Sequence, residues 1–165
     1  NLATVGGSLY GRYGFSDVLT LFLALGAKVR LYHAGEVELA DYVDQKPDRD
    51  VLEAVILPKK VAGCSYQCIR NSETDFPVLT CCMAKVDGVY QGTIGARPGR
   101  AVLFRDEDGL LKDGITGKSA AAFADYVRTH VVTGSNYRAG AGYRRKMAWV
   151  LTKRALMAIE EGGLN

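Results

Sequence analysis

The dipeptide Asp87-Gly88 stands between two largely apolar runs, Val78 to Val86 and Val89 to Ala96. Two residues that tolerate positive φ, flanked by strand-forming segments, make the tight turn of an antiparallel hairpin. A hairpin this apolar must be extended into a sheet and covered on one face. Cys64, Tyr66 and Cys68 lie two apart, as on one face of a preceding strand, and Arg100 to Arg105 follows the Pro98-Gly99 turn as a further strand. The periodicity then changes. Lys118 to Thr129 and Tyr143 to Glu160 read as helices, the latter with Met147, Val150, Leu151 and Ala155 on one face. Strands first and helices last predict an α+β unit, a small antiparallel sheet packed by a C-terminal helical pair.

Ahead of this unit lies a differently patterned region. Asn1 to Gly14 reads as loop, because Gly6, Gly7, Gly11 and Gly14 break any period. Ser16 suits an N-cap and Asp17 the positive first turn, so Asp17 to Leu25 is expected to be helical and closed by Gly26. Ala27 to His33 alternates as a strand, Glu36 to Val43 is a short return segment, and Lys46-Pro47-Asp48 is a connector. Val51 to Leu57 is an apolar strand ended by Pro58, and a second region starts near Lys59. No internal repeat or low-complexity tract interrupts the chain.

Composition narrows the function classes. Of 165 residues, 48% are hydrophobic, enough for a core. Lys+Arg 21 against Asp+Glu 18 leaves a net charge of +3, which makes no nucleic-acid-binding stripe. The longest apolar run falls well short of the ~18 residues of a membrane span, so a soluble protein is expected. Cys64, Cys68, Cys81 and Cys82 form neither a disulfide framework nor paired CxxC motifs, which favours a reducing, cytoplasmic setting. With only His33 and His130, histidine-based metal sites and Ser/His/Asp triads have little to draw on. The chain opens on Asn1 inside a Gly-bearing stretch, as expected of a fragment or a processed product.

Thr4-Val5-Gly6-Gly7-Ser8 is the most chemical feature. Adjacent glycines let backbone N–H groups approach phosphate oxygens without a Cβ in the way, and the flanking hydroxyls add donors. The plain alternative is a turn. Gly114-Ile115-Thr116-Gly117-Lys118-Ser119 invites comparison with a nucleotide-binding P-loop, but Lys112 occupies the position of the motif's first glycine and no apolar strand precedes it. It reads instead as a turn into an amphipathic helix, with Ser119 near the helix start. Phe76, in Asp75-Phe76-Pro77, either stacks on a flat ligand or anchors a strand entrance. Arg144-Arg145-Lys146, with Lys153 and Arg154, reads as a solvated helix face or as a surface for an acidic partner subunit. The cysteines read as strand residues, since Cys81 and Cys82 must point to opposite faces.

Taken jointly, these segments resemble a known family. Thr4-Val5-Gly6-Gly7, Ser16-Asp17, Leu25-Gly26-Ala27-Lys28-Val29 and Val51-Leu52 running into Leu57-Pro58 are similar to the second half of the PCMH-type FAD-binding domain of molybdenum hydroxylases. That family comprises the xanthine dehydrogenases and the medium, flavin-carrying subunits of aerobic carbon monoxide dehydrogenases. Asp75-Phe76, the Asp87-Gly88 hairpin, Gly95-Ala96-Arg97-Pro98, Leu111 to Gly117, and Tyr143-Arg144-Arg145-Lys146-Met147 with Val150-Leu151 and Arg154-Ala155-Leu156 resemble the C-terminal domain of the same subunit. The resemblance runs in order over essentially the whole chain. It implies a second FAD-binding subdomain at residues 1–58, with the N-terminal subdomain missing, and a carbon monoxide dehydrogenase flavoprotein C-terminal-like domain at 59–165.

The resemblance further implies an extended FAD. Ala3, Thr4, Val5, Gly6 and Gly7, followed by Ser8, would form the second of two phosphate-gripping loops, Asp17 would accept a hydrogen bond from a ribityl or ribose hydroxyl, Leu52 would lie against the flavin, and Phe76 would cover its ring. No residue would act as a conventional acid or base. Molybdopterin and iron-sulfur clusters would reside on a large molybdenum-binding and a small iron-sulfur partner subunit, passing electrons through FAD to NAD or another acceptor. Two departures stand out: Ser8 replaces a frequent Asn and Gly11 a Thr, and the family's first Gly-rich loop is absent from this sequence. Two other readings remain open here, a docking scaffold of such a complex that holds no FAD, and an unrelated α+β domain in which Gly6-Gly7 is only a turn.

Overall fold

A computed structural model describes residues 3–46 and 49–162. The first described element is a short helix, α1 (Val5–Tyr10). The loop expectation fails at residues 5–10, where it counted glycines and overlooked the cap: Thr4 is extended, and its hydroxyl accepts the Gly7 N–H at 3.0 Å. One such bond offsets much of the glycine penalty in a helix of two turns. Helix α2 (Asp17–Ala24) forms as its cap predicts, Ser16 Oγ accepting from the Leu19 amide at 3.1 Å, and Gly26 takes the positive φ of +66° that ends it.

Strands β1 (Lys28–Leu31), β2 (Gly35–Glu38) and β3 (Leu52–Ile56) make an antiparallel sheet in the order β2-β1-β3. The expected return segment Glu36 to Val43 divides in two, since Glu38 ends the pairing with Lys28 and the chain turns into α3 (Leu39–Asp44). Leu39, Tyr42 and Val43 are thereby buried against Leu19, Leu23 and Val29. In the expected connector, Pro47 and Asp48 lie outside the described residues.

The second sheet is a meander, β4 (Val61–Ile69), β5 (Leu79–Val86), β6 (Val89–Gly95) and β7 (Val102–Arg105), in that spatial order. Asp87 and Gly88 carry φ of +50° and +85° and join Val86 to Val89 directly, the hairpin foreseen from the sequence. The final strand starts at Val102 rather than Arg100, because Arg97 Nε holds the Arg100 carbonyl at 2.8 Å in the preceding turn. One face of this sheet, bearing Leu79, Cys81, Met83 and Ile94, packs against α4 (Gly117–His130) and α5 (Ala141–Glu161). Thr116 and Ser119 cap α4 reciprocally, which is what the failed P-loop comparison left in its place.

The other face of the meander receives α2. Thr93 Oγ1 donates to the Thr20 carbonyl at 2.6 Å, the Thr20 and Thr80 hydroxyls meet at 3.0 Å, and Gln91 Nε2 donates to the Ala24 carbonyl at 2.8 Å. Helix α2 therefore sits between the two sheets, its apolar side on the first and its backbone gripped by the second. Gly95 permits this approach: a Cβ there would meet the Thr20 and Thr80 hydroxyl oxygens at 2.4 and 2.5 Å.

One charged residue contradicts the solvated-face reading of α5. Arg144 is completely buried, while Arg145 and Lys146 are exposed as expected. Its guanidinium donates to the carbonyls of Val78 (2.9 Å), Gly134 (2.8 Å) and Ala139 (2.6 Å) and to Asn136 Oδ1 (2.7 Å). Consecutive helical residues point about 100° apart, so a run of three cations cannot share one solvent face.

Candidate functional site

The N-terminus of α1 leaves donors facing outward. The Gly7 amide is taken by the Thr4 hydroxyl, and the Ser8 amide and hydroxyl both donate to the Thr4 carbonyl, at 3.0 and 2.9 Å. The amides of Val5 and Gly6, at the first two helical positions, find no acceptor among the described residues, as the geometry of a helix start requires. Thr4 Oγ1 serves Gly7 as an acceptor, which leaves its own proton for an outside group. The two glycines do different things. A Cβ on Gly7 would crowd the Thr4 hydroxyl at 3.0 Å, whereas a Cβ on Gly6 would lie 3.8 Å from Leu52 Cδ2, in ordinary contact. Leu52, at the start of β3, thus forms the wall beside the exposed turn of Ala3, Thr4 and Val5.

Ser16 ties this turn to the next element: its hydroxyl donates to the Ser8 carbonyl at 3.1 Å while capping α2. Asp17, the first residue of α2, receives the Tyr66 hydroxyl on Oδ1 and Arg70 on Oδ2, each at 2.6 Å. Burial, reinforced by Asp17, pushes the Tyr66 phenol above its usual range, so Tyr66 is a donor at any physiological pH. Arg70 is partly buried, which works against its charge, but Asp17 outweighs this and holds the guanidinium ionised. Each Asp17 oxygen keeps a second lone pair for a further hydroxyl donor.

A cleft of about 310 Å³ opens beside Asp17, lined by Ser8, Phe15, Asp17, Arg70, Thr74 and Phe76 among others. Phe76 is 50% exposed and is no core anchor. Its ring lies 4.4 Å from that of Phe15, which in turn stacks on Tyr13 at 5.2 Å and 7°. Arg138 stands 5.3 Å from the Phe76 centroid and pairs with Asp75 at 2.7 Å, keeping the Asp75 carboxyl below the usual carboxylate range. A smaller cavity of about 130 Å³, bordered by Ala96, Pro98, Asn136 and Arg138, lies along Phe76 as well.

The structure therefore brings Ser8, Asp17 and Phe76 to one cleft, and groups Thr4 to Gly7 with Leu52 at the start of α1, about one helical turn before Ser8. Sequence reasoning missed Tyr13, Phe15, Tyr66, Arg70 and Arg138. Tyr66 and Arg70 sit 49 and 53 residues from the carboxylate they hold, and nothing local announces such a pairing. The close spacing of Tyr13 and Phe15 in a glycine-bounded stretch was a usable signal for the aromatic stack.

These residues fit an extended dinucleotide. Two open amides and a hydroxyl at a helix start suit an anion, and an aromatic-walled cleft with a hydrogen-bonded, arginine-paired carboxylate suits a polyhydroxylated, ring-bearing group. Residues 1–60 match the family model described as the FAD binding domain in molybdopterin dehydrogenase. The match covers the first 60 of the 165 residues. The whole chain shares its fold with solved structures over nearly its full length. Carbon monoxide dehydrogenase from Hydrogenophaga pseudoflava, in a form lacking the Mo-pyranopterin moiety of its molybdenum cofactor, aligns at 20% identity and TM-score 0.83 over 98% of this chain. Quinoline 2-oxidoreductase from Pseudomonas putida 86 aligns at 18% and 0.78 over 99%, and reconstituted carbon monoxide dehydrogenase from Oligotropha carboxidovorans at 17% and 0.81 over 97%. In each case the chain spans 62% of the length of the matched chain. No curated protein sequence matches significantly. The family resemblance read from the sequence is borne out, and the sheet-plus-helices unit after residue 60 removes the ground for an unrelated small domain.

Proposed function

We propose that this protein is the flavin-carrying part of a molybdenum hydroxylase of the xanthine dehydrogenase type. Bound FAD would supply two-electron redox chemistry, linking a molybdenum centre to NAD or another acceptor. Val5 and Gly6 would hold its pyrophosphate through their amides, assisted by the Thr4 hydroxyl. Asp17, fixed by Tyr66 and Arg70, accepts a hydroxyl of the cofactor's sugar-like chain, and Leu52 and Phe76 provide apolar surface. Residues 1–58 form the cofactor subdomain and residues 59–165 a C-terminal domain that completes the cleft. The partners are a large molybdenum-binding subunit and a small iron-sulfur subunit, and the setting is the cytoplasm. Among the described residues no helix is long and apolar enough to cross a membrane.

The observation that carries this reading is the open helix start beside Leu52. It also supplies the test. A Gly6→Ala methyl meets only Leu52, at ordinary contact distance, and Ala is the better helix former, so the fold should hold or gain stability. On this reading the same methyl would intrude on the space a phosphate needs. Titration with FAD, followed by flavin fluorescence, should show the variant binding at least tenfold more weakly than the parent. Equal affinity in the two proteins, or no FAD uptake by either, refutes the proposal.

A second reading, a docking module of such a complex that holds no FAD, draws on one observation. Arg128, Arg145, Lys146 and Trp149 line an open groove of about 480 Å³ between α4 and α5, on the far side of the sheet from the cleft. A colourless protein that still joins the molybdenum and iron-sulfur partners, and loses them on charge reversal at Arg145 and Lys146, would favour it.

A further inference from the structure

Two of the four cysteines face each other. Cys64 on β4 and Cys82 on β5 bring their Sγ atoms to 3.6 Å. They are diagonal neighbours: Cys82 lies directly across from Tyr66, and Cys64 across from Ala84, all on the sheet face that meets α2. Cys64 is exposed and Cys82 fully buried. The other two thiols are placed differently. Cys81 points to the opposite face, 3.8 Å from the Thr152 hydroxyl, and Cys68 is paired across the strands with Thr80. Among the described residues no group of three or more His, Cys, Asp or Glu could hold a metal ion, so the pair is not part of a larger ligand set.

We propose that Cys64 and Cys82 form a thiol redox pair, in which Cys64 reacts with a peroxide and Cys82 resolves the product to an intramolecular disulfide. The division of roles follows from access. Of the two, Cys64 is the one exposed to a solvent-borne oxidant, and Cys82 is the thiol within reach of what forms on it. The hydrogen bond from Cys82 also lowers the Cys64 pKa, which favours the nucleophilic thiolate there. In the first step the Cys64 thiolate attacks one peroxide oxygen, the O–O bond breaks, hydroxide leaves, and Cys64 becomes a sulfenic acid. In the second, Cys82 loses its proton and attacks the Cys64 sulfur; the S–S bond forms, the S–O bond breaks, and that oxygen leaves as water. Overall two thiols and one hydrogen peroxide give one disulfide and two waters. The sulfurs must close from 3.6 Å to about 2.05 Å, and because diagonal neighbours stand farther apart than directly opposed residues, closure takes a local shift of the two strands as well as rotation about the Cα–Cβ bonds.

The pair has a structural address that makes its oxidation consequential. Tyr66, directly across from Cys82, is the donor that holds Asp17, so the new bond forms beside the strand residue that positions the candidate site's carboxylate. The assignment of the pair itself does not depend on the flavin reading.

The experiment treats the full chain with hydrogen peroxide, quenches, denatures, alkylates and records intact mass and tryptic maps. The parent should lose about 2 Da and keep two alkylatable thiols of its four, with a peptide cross-link joining Cys64 to Cys82. Cys64→Ser and Cys82→Ser should each keep all three remaining thiols at the same peroxide dose or, in Cys82→Ser, carry sulfenic acid at Cys64. Cys68→Ser should form the cross-link like the parent. Three results overturn the proposal: a cross-link to Cys68 or Cys81 instead, oxidation of Cys64 to sulfinic acid in the parent without cross-link, or four unreacted thiols.

Discussion

Replacing Arg144 by methionine removes a cation that has no carboxylate partner among the described residues yet is wholly buried. Its four hydrogen bonds go to three backbone carbonyls and one side-chain amide, and burial, followed by the charge of Arg138, pulls its pKa down. A charged donor's hydrogen bond is worth roughly 1.5–3 kcal/mol net, so naive addition over four bonds overshoots. Two opposing corrections apply: methionine escapes the cost of burying a charge, while carbonyls that water cannot reach stay unpaired. Each buried acceptor left unpaired costs roughly 1–3 kcal/mol, and with the charge-burial relief set against four such groups a net loss of about 3–5 kcal/mol is expected. With a urea slope of about 2 kcal/mol/M, the midpoint should fall by roughly 2 M. Arg144→Lys should recover only part, since an ammonium cannot span the planar fork that reaches Val78, Gly134 and Ala139 together. Arg145→Met, one residue on and exposed, should change stability by less than about 0.5 kcal/mol. Urea melts of the three variants decide the matter. An Arg144→Met protein within 1 kcal/mol of the parent would refute the claim that this guanidinium organises residues 134–139.

Gly95→Ala should be destabilised by more than about 2 kcal/mol in the same melts, because its methyl would overlap the Thr20 and Thr80 hydroxyls where α2 meets the sheet. Thr93→Val removes the donor to the Thr20 carbonyl and should cost about 1–2 kcal/mol, whereas the same change at exposed Thr129 should be nearly silent. The Asp75 carboxyl titrates below its unfolded value, so its contribution is complete above about pH 4 and is lost as pH falls through the lower folded value. An Asp75→Asn protein should accordingly show a flatter acid limb when urea midpoints are plotted from pH 6 down to 2. Burial pushes the Cys81 thiol up to about 12, and native-state alkylation at pH 8 should leave it unmodified while unfolding exposes it.

Local signals were read correctly wherever one short stretch decided the outcome. Asp87-Gly88 set its turn, Ser16-Asp17 opened α2, and Thr116 to Ser119 started α4. Errors arose where a single side chain outweighed the local composition. Thr4 made a helix of a stretch that its glycines marked as loop, and the buried packing of Leu39, Tyr42 and Val43 turned half of a return strand into α3. Arg144 looked like its neighbours because only the sheet edge and the loop before α5 supply its acceptors, and these are contributed by residues 78, 134, 136 and 139. The candidate site divides the same way. Thr4 to Gly7 was legible as a glycine-bearing phosphate turn though not as a helix, and Asp17 as a first-turn carboxylate behind its Ser16 cap, while the partners of Asp17 are Tyr66 on a strand and Arg70 just past it, some fifty residues on.

Asp17 belongs by sequence to the first 58 residues, but both of its donors, Tyr66 and Arg70, come from the strand that begins the second sheet and the residue just past it. Transplanting the opening segment into a related scaffold would therefore carry over an acid whose orientation was left behind. Chimeras joined anywhere between Ile56 and Val61 inherit that mismatch, and only a seam beyond Arg70 keeps the acid with its grip.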